Sequence, residues 1–535
     1  MIFILIFFIL YGSCQSLAQP FIYPLEQTAS IRFDSVISKK TANIHSSFKP
    51  LLPPQAGEYF QPLAETVGTI QRSFFYRKLK KESLIILDGG RLKPQDTVIT
   101  LPGDYYITAD PLFHFETGKD FGDTSARADT SRLYRNTRGF LIRGQVGGNL
   151  VFETSFLENQ AVLPAYRDEF VRNNKVAPGS GRIKPFKNTG YDFAMAGGYF
   201  MYHTGLKKSD LDISFGHGKH FIGGGYRSVL LSDNTFNYPF LRIAFGRGIF
   251  QYTAMYAVWQ NMYRQGNASG AEGIFQRKVS TIHYLNILAG KTIEVGFFES
   301  LISRAAGNTG KMILTPYVYN PLIGLNTMRF GFASAENAMI GVNMKIKISN
   351  RIKFYDQFAV DDLSKGKYAM QGGVKIINPF GIRTVLMQTE VNYVTPFTYA
   401  HSDSLQAYTH YNQPAAHPLG AGFFESVSIL YLNFHDFFSR FQYNYITYYE
   451  DFGNFNFGKN IFRSDETETY TPDVPEITRI NYFLAETGYI LNPVTNMQVC
   501  VGAVIRSERN SAWEKQTKYL YFTFRTSLSN LYWDF

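Results

Sequence analysis

The chain has 535 residues, of which 48 are Phe, 36 are Tyr and 45 are Gly, and it carries a formal net charge of +10. Beyond the N-terminus no stretch of about eighteen or more apolar residues occurs, which excludes membrane-spanning helices. Cys14 and Cys500 are the only cysteines. A secreted fold stapled by internal disulfides is therefore excluded, because the mature chain would keep a single thiol.

The positive charge is spread along the chain. Its ordinary interpretation is solvated surface, and the alternative is affinity for acidic polysaccharide or lipopolysaccharide. No nucleic-acid partner is expected.

The N-terminus predicts export from the cytoplasm. Residues 1–10 are apolar, and small residues follow at Ser16 and Ala18, which predicts a signal peptide over residues 1–18. No Lys or Arg precedes the apolar run, so its positive part is the amino terminus alone. Lipidation at Cys14 is the alternative, disfavoured because Tyr11 stands where such a site has Leu or Val.

Residues 19–104 lack the pattern of membrane strands and are predicted to form a periplasmic N-terminal segment with some helix. Residues 68–87, with the basic run 72–82, fit a basic amphipathic helix. Such a helix could pack under a barrel mouth or touch headgroups. A simple periplasmic lead-in is an equal alternative.

The remaining residues, 105–535, alternate apolar and polar side chains as barrel strands do. Met344 and Ile346, for example, would face lipid, while Lys345 between them would face the lumen. Asp356 falls on the lipid side of this pattern, which predicts a bulge or a register error there.

Eighteen such strands are predicted, and the connections between them alternate between tight turns and mostly long loops, as in outer-membrane barrels. The predicted strands are residues 105–116, 139–146, 149–158, 190–204, 209–217, 239–246, 249–260, 280–288, 291–300, 338–348, 352–361, 368–377, 382–394, 422–433, 437–449, 478–490, 497–507 and 517–529.

The sequence therefore predicts an all-β fold, a transmembrane antiparallel barrel of about eighteen strands with both ends on the periplasmic side. Residues 530–535 continue the alternation to a terminal Phe535. That ending resembles the signal recognised by the barrel-assembly machinery. The machinery, outer-membrane lipid and lipopolysaccharide are the expected partners in the cell outer membrane.

The densest motif is the glycine-rich run 216–240. Backbone amides of such a run can bind phosphate, but the spacing of a nucleotide-binding loop is absent. His217 and His220 could bind a metal, but no acidic or Cys partner is near in sequence. The favoured interpretation is a structural loop folded into the barrel mouth and pinned by Arg227 and Asp233. A ligand-contacting loop is the alternative.

Candidate ligand-binding residues of this loop are His217, Lys219, His220, Tyr226, Arg227, Asp233 and Asn237. Candidate lumen residues are Lys345, Lys347, Lys353 and Arg506. No metal, cofactor or catalytic residue is expected. Ser228 and Ser232 lie near His220 and Asp233 in sequence, but no nucleophile-elbow motif is present.

Six segments together resemble the capsule-assembly Wzi-like barrels, closest to the gliding-motility RemB-like branch. They are residues 136–139, 158–160, 178–182, 216–228, 231–234 and 237–240. The resemblance extends from about residue 50 to Phe535, and its most specific part is the loop motif that runs through Pro239. Gly224 departs from it, standing where the branch has an acidic residue.

The resemblance implies an eighteen-stranded outer-membrane barrel with a periplasmic helical portion, and a surface lectin that helps to organise exported capsular polysaccharide. We therefore expect a non-enzymatic protein that binds or organises surface polysaccharide, with adhesion or gliding as associated roles. A porin or substrate-specific uptake channel is the alternative, and an outer-membrane enzyme is the third hypothesis.

Overall fold

A computed structural model describes the greater part of the chain. The described residues are 25, 34, 43–51, 85–88, 91–92, 105–125, 132–147, 149–206, 209–264, 275–304, 316–332, 336–382, 385–451, 456–463, 476–492, 495–526 and 529–535. The predicted signal peptide, residues 1–18, lies outside them.

Eighteen strands form one closed antiparallel barrel. In chain order they are β1 (Tyr105–Asp120), β2 (Leu133–Val146), β3 (Leu150–Val162), β4 (Gly190–Leu206), β5 (Ser209–Gly218), β6 (Tyr238–Arg247), β7 (Phe250–Arg264), β8 (Phe275–Ala289), β9 (Ile293–Arg304), β10 (Asn337–Lys347), β11 (Ile352–Asp362), β12 (Lys367–Ile377), β13 (Val385–Val394), β14 (Phe423–Phe434), β15 (Phe437–Tyr449), β16 (Ile477–Asn492), β17 (Met497–Arg509) and β18 (Glu514–Thr526).

Each strand pairs with its neighbours in sequence, and the barrel closes where β18 pairs with β1. The closing register runs from Tyr519 opposite Asp120 to Arg525 opposite His114. Every predicted strand overlaps one observed strand, so the predicted architecture is confirmed.

The connections separate the two ends of the barrel. The "turn end" carries short links such as residues 248–249 and 435–436. The "loop end" carries the long links, among them residues 163–189, 219–237, 395–422 and 450–476. β1 starts at the turn end and β18 finishes there.

The outer wall is apolar and much of the inner wall is polar, which is the pattern of a membrane barrel. Phe358 and Val342 are paired across β10 and β11 and are exposed on the outside. Their strand neighbours Gln357 and Asn343 face inward and are buried. The inner wall is also apolar in part: Trp259 belongs to the largest buried cluster, which lies inside the barrel.

Short elements lie outside the eighteen-strand ladder. Ile85–Asp88 pairs with β1 beyond the end of β18, opposite residues 106–109. Phe48–Lys49 pairs with Phe221–Ile222. The others are helices α1 (Ala165–Asn174) and α2 (Leu325–Phe330), strands Arg91–Leu92, Lys184–Phe186, Thr409–His410 and Gln413–Pro414, and 3-10 helices Pro316–Tyr319, Leu363–Lys365, Pro379–Gly381 and Ser404–Gln406.

Three expectations are corrected. The register does not shift at Asp356, which pairs regularly with Met344 and Gly372; the irregularity lies between Val360 and Asp362. Asp356 is therefore an outward-facing carboxyl in a regular strand.

The second correction concerns the end of the chain. The last strand ends at Thr526, and residues 529–535 are not a strand. Buried residues alternate with half-buried ones there because Tyr532 and Asp534 pack on the plug loop, not because the segment belongs to the barrel wall.

The third concerns the predicted amphipathic helix. Most of residues 68–87 lies outside the described residues, but its last three residues belong to the strand Ile85–Asp88. None of the helices in the described ranges has the length and apolar content needed to cross a membrane.

Candidate functional site: the filled lumen and its loop-end surface

Residues 219–237, here called the plug loop, leave β5 and fold into the barrel. Val229, Leu230 and Leu231 are fully buried in the main apolar cluster. The loop is tied to the wall by Gln357, which accepts a hydrogen bond from the Val229 amide at 2.9 Å. The predicted structural loop is thus observed.

Glycines let the plug loop approach the wall closely. A Cβ on Gly225 would lie 2.5 Å from a Glu390 carboxylate oxygen, and one on Gly223 would lie 2.3 Å from Gln357. The amides of Tyr226 and Arg227 donate to the Glu390 carboxylate at 2.7 and 3.0 Å. The glycine-rich run therefore does bind an anion through backbone amides, but the anion is the protein's own carboxylate.

Arg227 is the centre of a fully buried ionic network. Its guanidinium lies 2.9 Å from Glu425 and 3.0 Å from Asp534. His417 contacts the other oxygen of Glu425 at 2.7 Å. The Tyr226 hydroxyl donates to Asp534 at 2.8 Å. Four separate parts of the chain thus meet around one cation.

Asp534 belongs to residues 529–535, here called the C-terminal tail, which runs from the turn end back into the lumen. Asp233 of the plug loop accepts hydrogen bonds from Tyr532 at 2.7 Å and Asn530 at 2.9 Å. The tail reaches α1 at the loop end, where Arg167 lies 4.0 Å from the centre of the Trp533 ring.

Residues 395–422, here called the covering loop, close the barrel above the plug loop. Tyr399 and Tyr408 donate to the carbonyls of Val229 and Leu230 at 2.7 and 2.9 Å. A described part of the N-terminal segment, residues 43–51, also lies in the lumen. There the Ser47 hydroxyl donates to Glu294 at 2.7 Å.

Lys345, Lys353 and Arg506, three of the predicted lumen cations, are paired with carboxylates of the protein itself. Lys345 contacts Glu294 at 2.7 Å and Arg506 contacts Glu508 at 3.0 Å. Lys353 contacts Asp34 at 3.3 Å. The fourth, Lys347, lies at the turn end of β10, where its amide donates to Thr292 at 2.7 Å.

The seven candidate loop residues separate into two groups. Tyr226, Arg227 and Asp233 are buried in the network between plug loop and tail. The other four line a cavity of about 160 Å³ between the plug loop and the wall strands β1 to β6; they are His217, Lys219, His220 and Asn237.

The cavity residues differ in their contacts. Lys219 donates to the Gly179 carbonyl at 2.6 Å, and burial lowers its pKa from 10.5 to about 8. His220 lies 3.2 Å from the Tyr238 hydroxyl, and burial lowers its pKa well below the usual value. His217 is half-buried, with its ring 3.0 Å from the Ala196 carbonyl. Among the described residues, no cluster of three or more His, Cys, Asp or Glu side chains is placed to hold a metal ion.

The loop end also presents a cluster that the sequence did not single out. It consists of the half-buried residues His217, Phe236 and Tyr411, here called the aromatic patch. The ring centres of His217 and Phe236 are 5.6 Å apart, and those of Phe236 and Tyr411 are 4.7 Å apart. Burial raises the pKa of Tyr411, and the positive charges of Arg182 and Arg277 oppose that rise. Both arginines are exposed, so the patch combines partly open rings with basic groups.

Glu390, Glu425 and Asp534 were also missed. The two glutamates stand at lumen-facing positions of predicted strands, so acidic residues at those positions could have been collected together with the basic ones. No sequence signal would have paired them with Arg227, because the partners are 163 and 198 residues away.

The fold and its filled interior define a plugged eighteen-stranded β-barrel. Its fold is similar to that of Wzi of Escherichia coli, described as an outer-membrane protein involved in group 1 capsule assembly and a carbohydrate-binding β-barrel. The TM-score is 0.54 at 12% identity, covering 95% of this chain and 100% of the other.

Two barrels of Pseudomonas aeruginosa are more distant. OprD has 10% identity and a TM-score of 0.39, covering 83% of this chain and 98% of its own. OpdK, solved with vanillate, has 9% identity and a TM-score of 0.41, covering 78% and 98%. No protein-family model and no curated protein matches the sequence.

Proposed function

We propose that this protein is a closed outer-membrane barrel that binds exported surface polysaccharide at its loop end and organises it there without catalysis. The observation that carries the proposal is the filled lumen. The plug loop is held to the wall and to the C-terminal tail by buried ion pairs, and residues 43–51 are held to the wall by a buried hydrogen bond.

The charges of the lumen favour this function over a channel. A selective pore presents free charged groups to its solute. Here Lys345, Lys353 and Arg506 are engaged with carboxylates of the protein itself. Their role is to hold the interior together.

The aromatic patch is the proposed polysaccharide contact. Aromatic rings bury large apolar area at low entropic cost, and the apolar faces of pyranose rings fit them. The exposed guanidinium of Arg182 beside Tyr411 suits an acidic glycan. Of the seven candidates from sequence, His217 belongs to this patch.

The likeness to a carbohydrate-binding barrel supports the proposal at the level of the fold. Kinship with the gliding-motility RemB-like branch, and roles in adhesion or gliding, are part of the same proposal. So are its partners: outer-membrane lipid, lipopolysaccharide and the barrel-assembly machinery.

The direct test uses the purified, detergent-solubilised protein and surface polysaccharide prepared from the host cell. The double substitution of Phe236→Ala and Tyr411→Ala should abolish co-sedimentation with the polysaccharide. Phe121→Ala is the matched control, because Phe121 is an exposed loop-end ring away from the patch. Equal binding by all three proteins would refute the proposed contact.

A test in cells addresses the role rather than the contact. A deletion strain should shed surface polysaccharide into the medium, and the full-length gene should restore retention. The double variant should fail to restore it. Unchanged retention in the deletion strain would contradict the proposed function.

A further inference from the structure

One stretch of the chain lies against the outside of the barrel. Residues 316–332, here called the outer-wall segment, comprise the 3-10 helix Pro316–Tyr319 and helix α2. They belong to the loop between β9 and β10. They lie against the outer face of β7 to β10, and their hydrogen bonds are with outward-facing side chains of β7, β8 and β9.

The wall beneath the segment is polar where a barrel wall should be apolar. His283 and Glu299 are paired across β8 and β9. Leu285 and Phe297 form the pair two residues away on the same face of these strands, and Phe297 is exposed. Because side chains two apart share a face, His283 and Glu299 point outward. Both are nevertheless fully buried, since the outer-wall segment covers them.

The polar wall residues satisfy the backbone of the segment. Glu299 accepts hydrogen bonds from the amides of Gly324 and Thr327, both at 2.7 Å. Tyr252 donates to the Pro321 carbonyl at 2.6 Å, and Thr281 donates to the Val318 carbonyl at 2.8 Å. Irregular backbone survives in contact with lipid only when its polar groups are met by protein. Glu299, Tyr252 and Thr281 of the wall provide the hydrogen-bond partners that this backbone needs.

The other side of the segment is open and mainly apolar, with Arg329 as an exposed cation near the end of α2. Met328 is 85% exposed and Leu322 is 61% exposed. Leu325 and Tyr319 are also exposed on it. The polar side thus faces the barrel, and the apolar side faces away from it, where the surrounding wall presents its apolar belt.

We propose that the outer-wall segment is a lipid-contacting element, held on the barrel by Glu299 and inserting Leu322, Leu325 and Met328 among the acyl chains of the membrane. The occupant of its open side is hydrocarbon, because the exposed apolar side chains continue the apolar outer surface and the wall residues meet the polar backbone groups of the segment. Its exposed cation, Arg329, has a long stem that can carry the charge to the headgroup layer. An amphipathic element with this division of faces belongs at the boundary of headgroups and acyl chains.

The test places an environment-sensitive fluorophore on the full chain in phospholipid vesicles. Met328→Cys is labelled in a chain whose native Cys14 and Cys500 are replaced by alanine. Val342→Cys marks the lipid-facing wall, and Lys365→Cys marks an exposed loop-end position. Retained heat-modifiable migration in gels establishes that each variant forms the barrel.

We expect blue-shifted emission at position 328, quenched by lipids with brominated acyl chains nearly as strongly as at position 342. Emission at position 365 should instead be quenched by aqueous iodide. Iodide quenching at 328 without bromolipid quenching would overturn the proposal. Quenching that depends on protein density rather than on bromolipid would also overturn it, because a second copy would then cover the segment.

A second variant separates attachment from insertion. Glu299→Gln keeps the size of the side chain but weakens its hydrogen bonds to Gly324 and Thr327. Protease cleavage within the outer-wall segment should then increase in detergent, with the barrel intact. Unchanged cleavage would mean that Glu299 does not hold the segment. A failure of polysaccharide binding would leave this result unaffected.

Discussion

Arg227 shows how a buried charge can specify one arrangement of a long loop. Its guanidinium contacts two carboxylates, from β14 and the C-terminal tail, in a site that excludes solvent. Desolvation makes such a pair expensive, so the net gain depends on every partner being present. Because the site is desolvated, removing one partner leaves an unpaired buried charge and lowers the stability of the protein.

Replacing Arg227 should therefore destabilise the interior strongly. Arg227→Ala leaves Glu425 and Asp534 buried without their cation, and about 3–5 kcal/mol of stability should be lost. Urea unfolding in detergent, followed by heat-modifiable gel migration, measures it. Arg182→Ala is the control, since Arg182 is exposed. An Arg227 variant as stable as this control would show that the ionic network does not hold the plug.

Gly225 is constrained by space rather than by backbone conformation. A methyl group there would meet Glu390, the Arg227 carbonyl and Gln371 at under 3.0 Å. Gly225→Ala should cost about 1–3 kcal/mol, as overpacking does. Gly372→Ala is the matched control because a Cβ there has no atom within 4 Å. The same unfolding assay compares them, and equal stabilities would contradict the close packing.

Because the amine of Lys219 is buried, the stability of the fold should depend on pH. Burial lowers its pKa from 10.5 to about 8, so the folded state releases this proton more easily than the unfolded state. Its contribution to stability is therefore greatest above pH 10.5 and is lost as the pH falls towards 8. The difference in midpoint between wild type and Lys219→Met should follow that trend. A difference constant over this range would contradict the burial of a titrating amine.

At the scale of elements, the eighteen strands were predictable because each carries a period-two pattern that a helix cannot use. The turn-end links are short, so the two strands that each of them joins must be antiparallel neighbours in the barrel. Strand ends were less well defined: β2 begins at Leu133, six residues before the prediction, since loop-end strands extend beyond any membrane-facing pattern.

The C-terminal tail shows where the pattern misleads. Residues 530–535 alternate as a strand would, yet they lie in the lumen with Asp534 on Arg227. A period-two pattern indicates only that the two sides of a segment have different surroundings. In a barrel wall these are lipid and lumen, whereas in the tail one side packs on the plug loop. The contacts among plug loop, tail and covering loop could not be predicted, because they join residues far apart in sequence.

Deletion of residues 529–535 tests the tail as an element. The barrel should still close, because the ladder from Tyr519 to Arg525 with β1 does not involve the tail. The lumen should become leaky, since Asp233 and Arg227 lose their tail partners. Liposome swelling with a small sugar measures the leak, with Asp534→Asn as the milder variant. Failure of the deleted chain to form a barrel would show that the tail is needed for assembly.

At the scale of the whole molecule, the chain combines a membrane-type outer wall with an interior packed like a soluble core. The largest apolar cluster lies inside the barrel and includes the plug loop, covering loop and Phe48. Such packing leaves the loop-end surface as the place for ligand contact. Sequence alone indicated the wall and the plug loop, whereas the aromatic patch depends on β5, the plug loop and the covering loop, which meet only in the folded chain.

The closed lumen is the central claim, and single-channel recording in planar bilayers tests it most directly. The purified wild-type protein should insert without steady conductance, since plug loop, tail and covering loop fill its interior. Arg227→Ala should give intermittent openings in the same assay. A sustained open-channel current from the wild-type protein would contradict the account and favour an uptake channel.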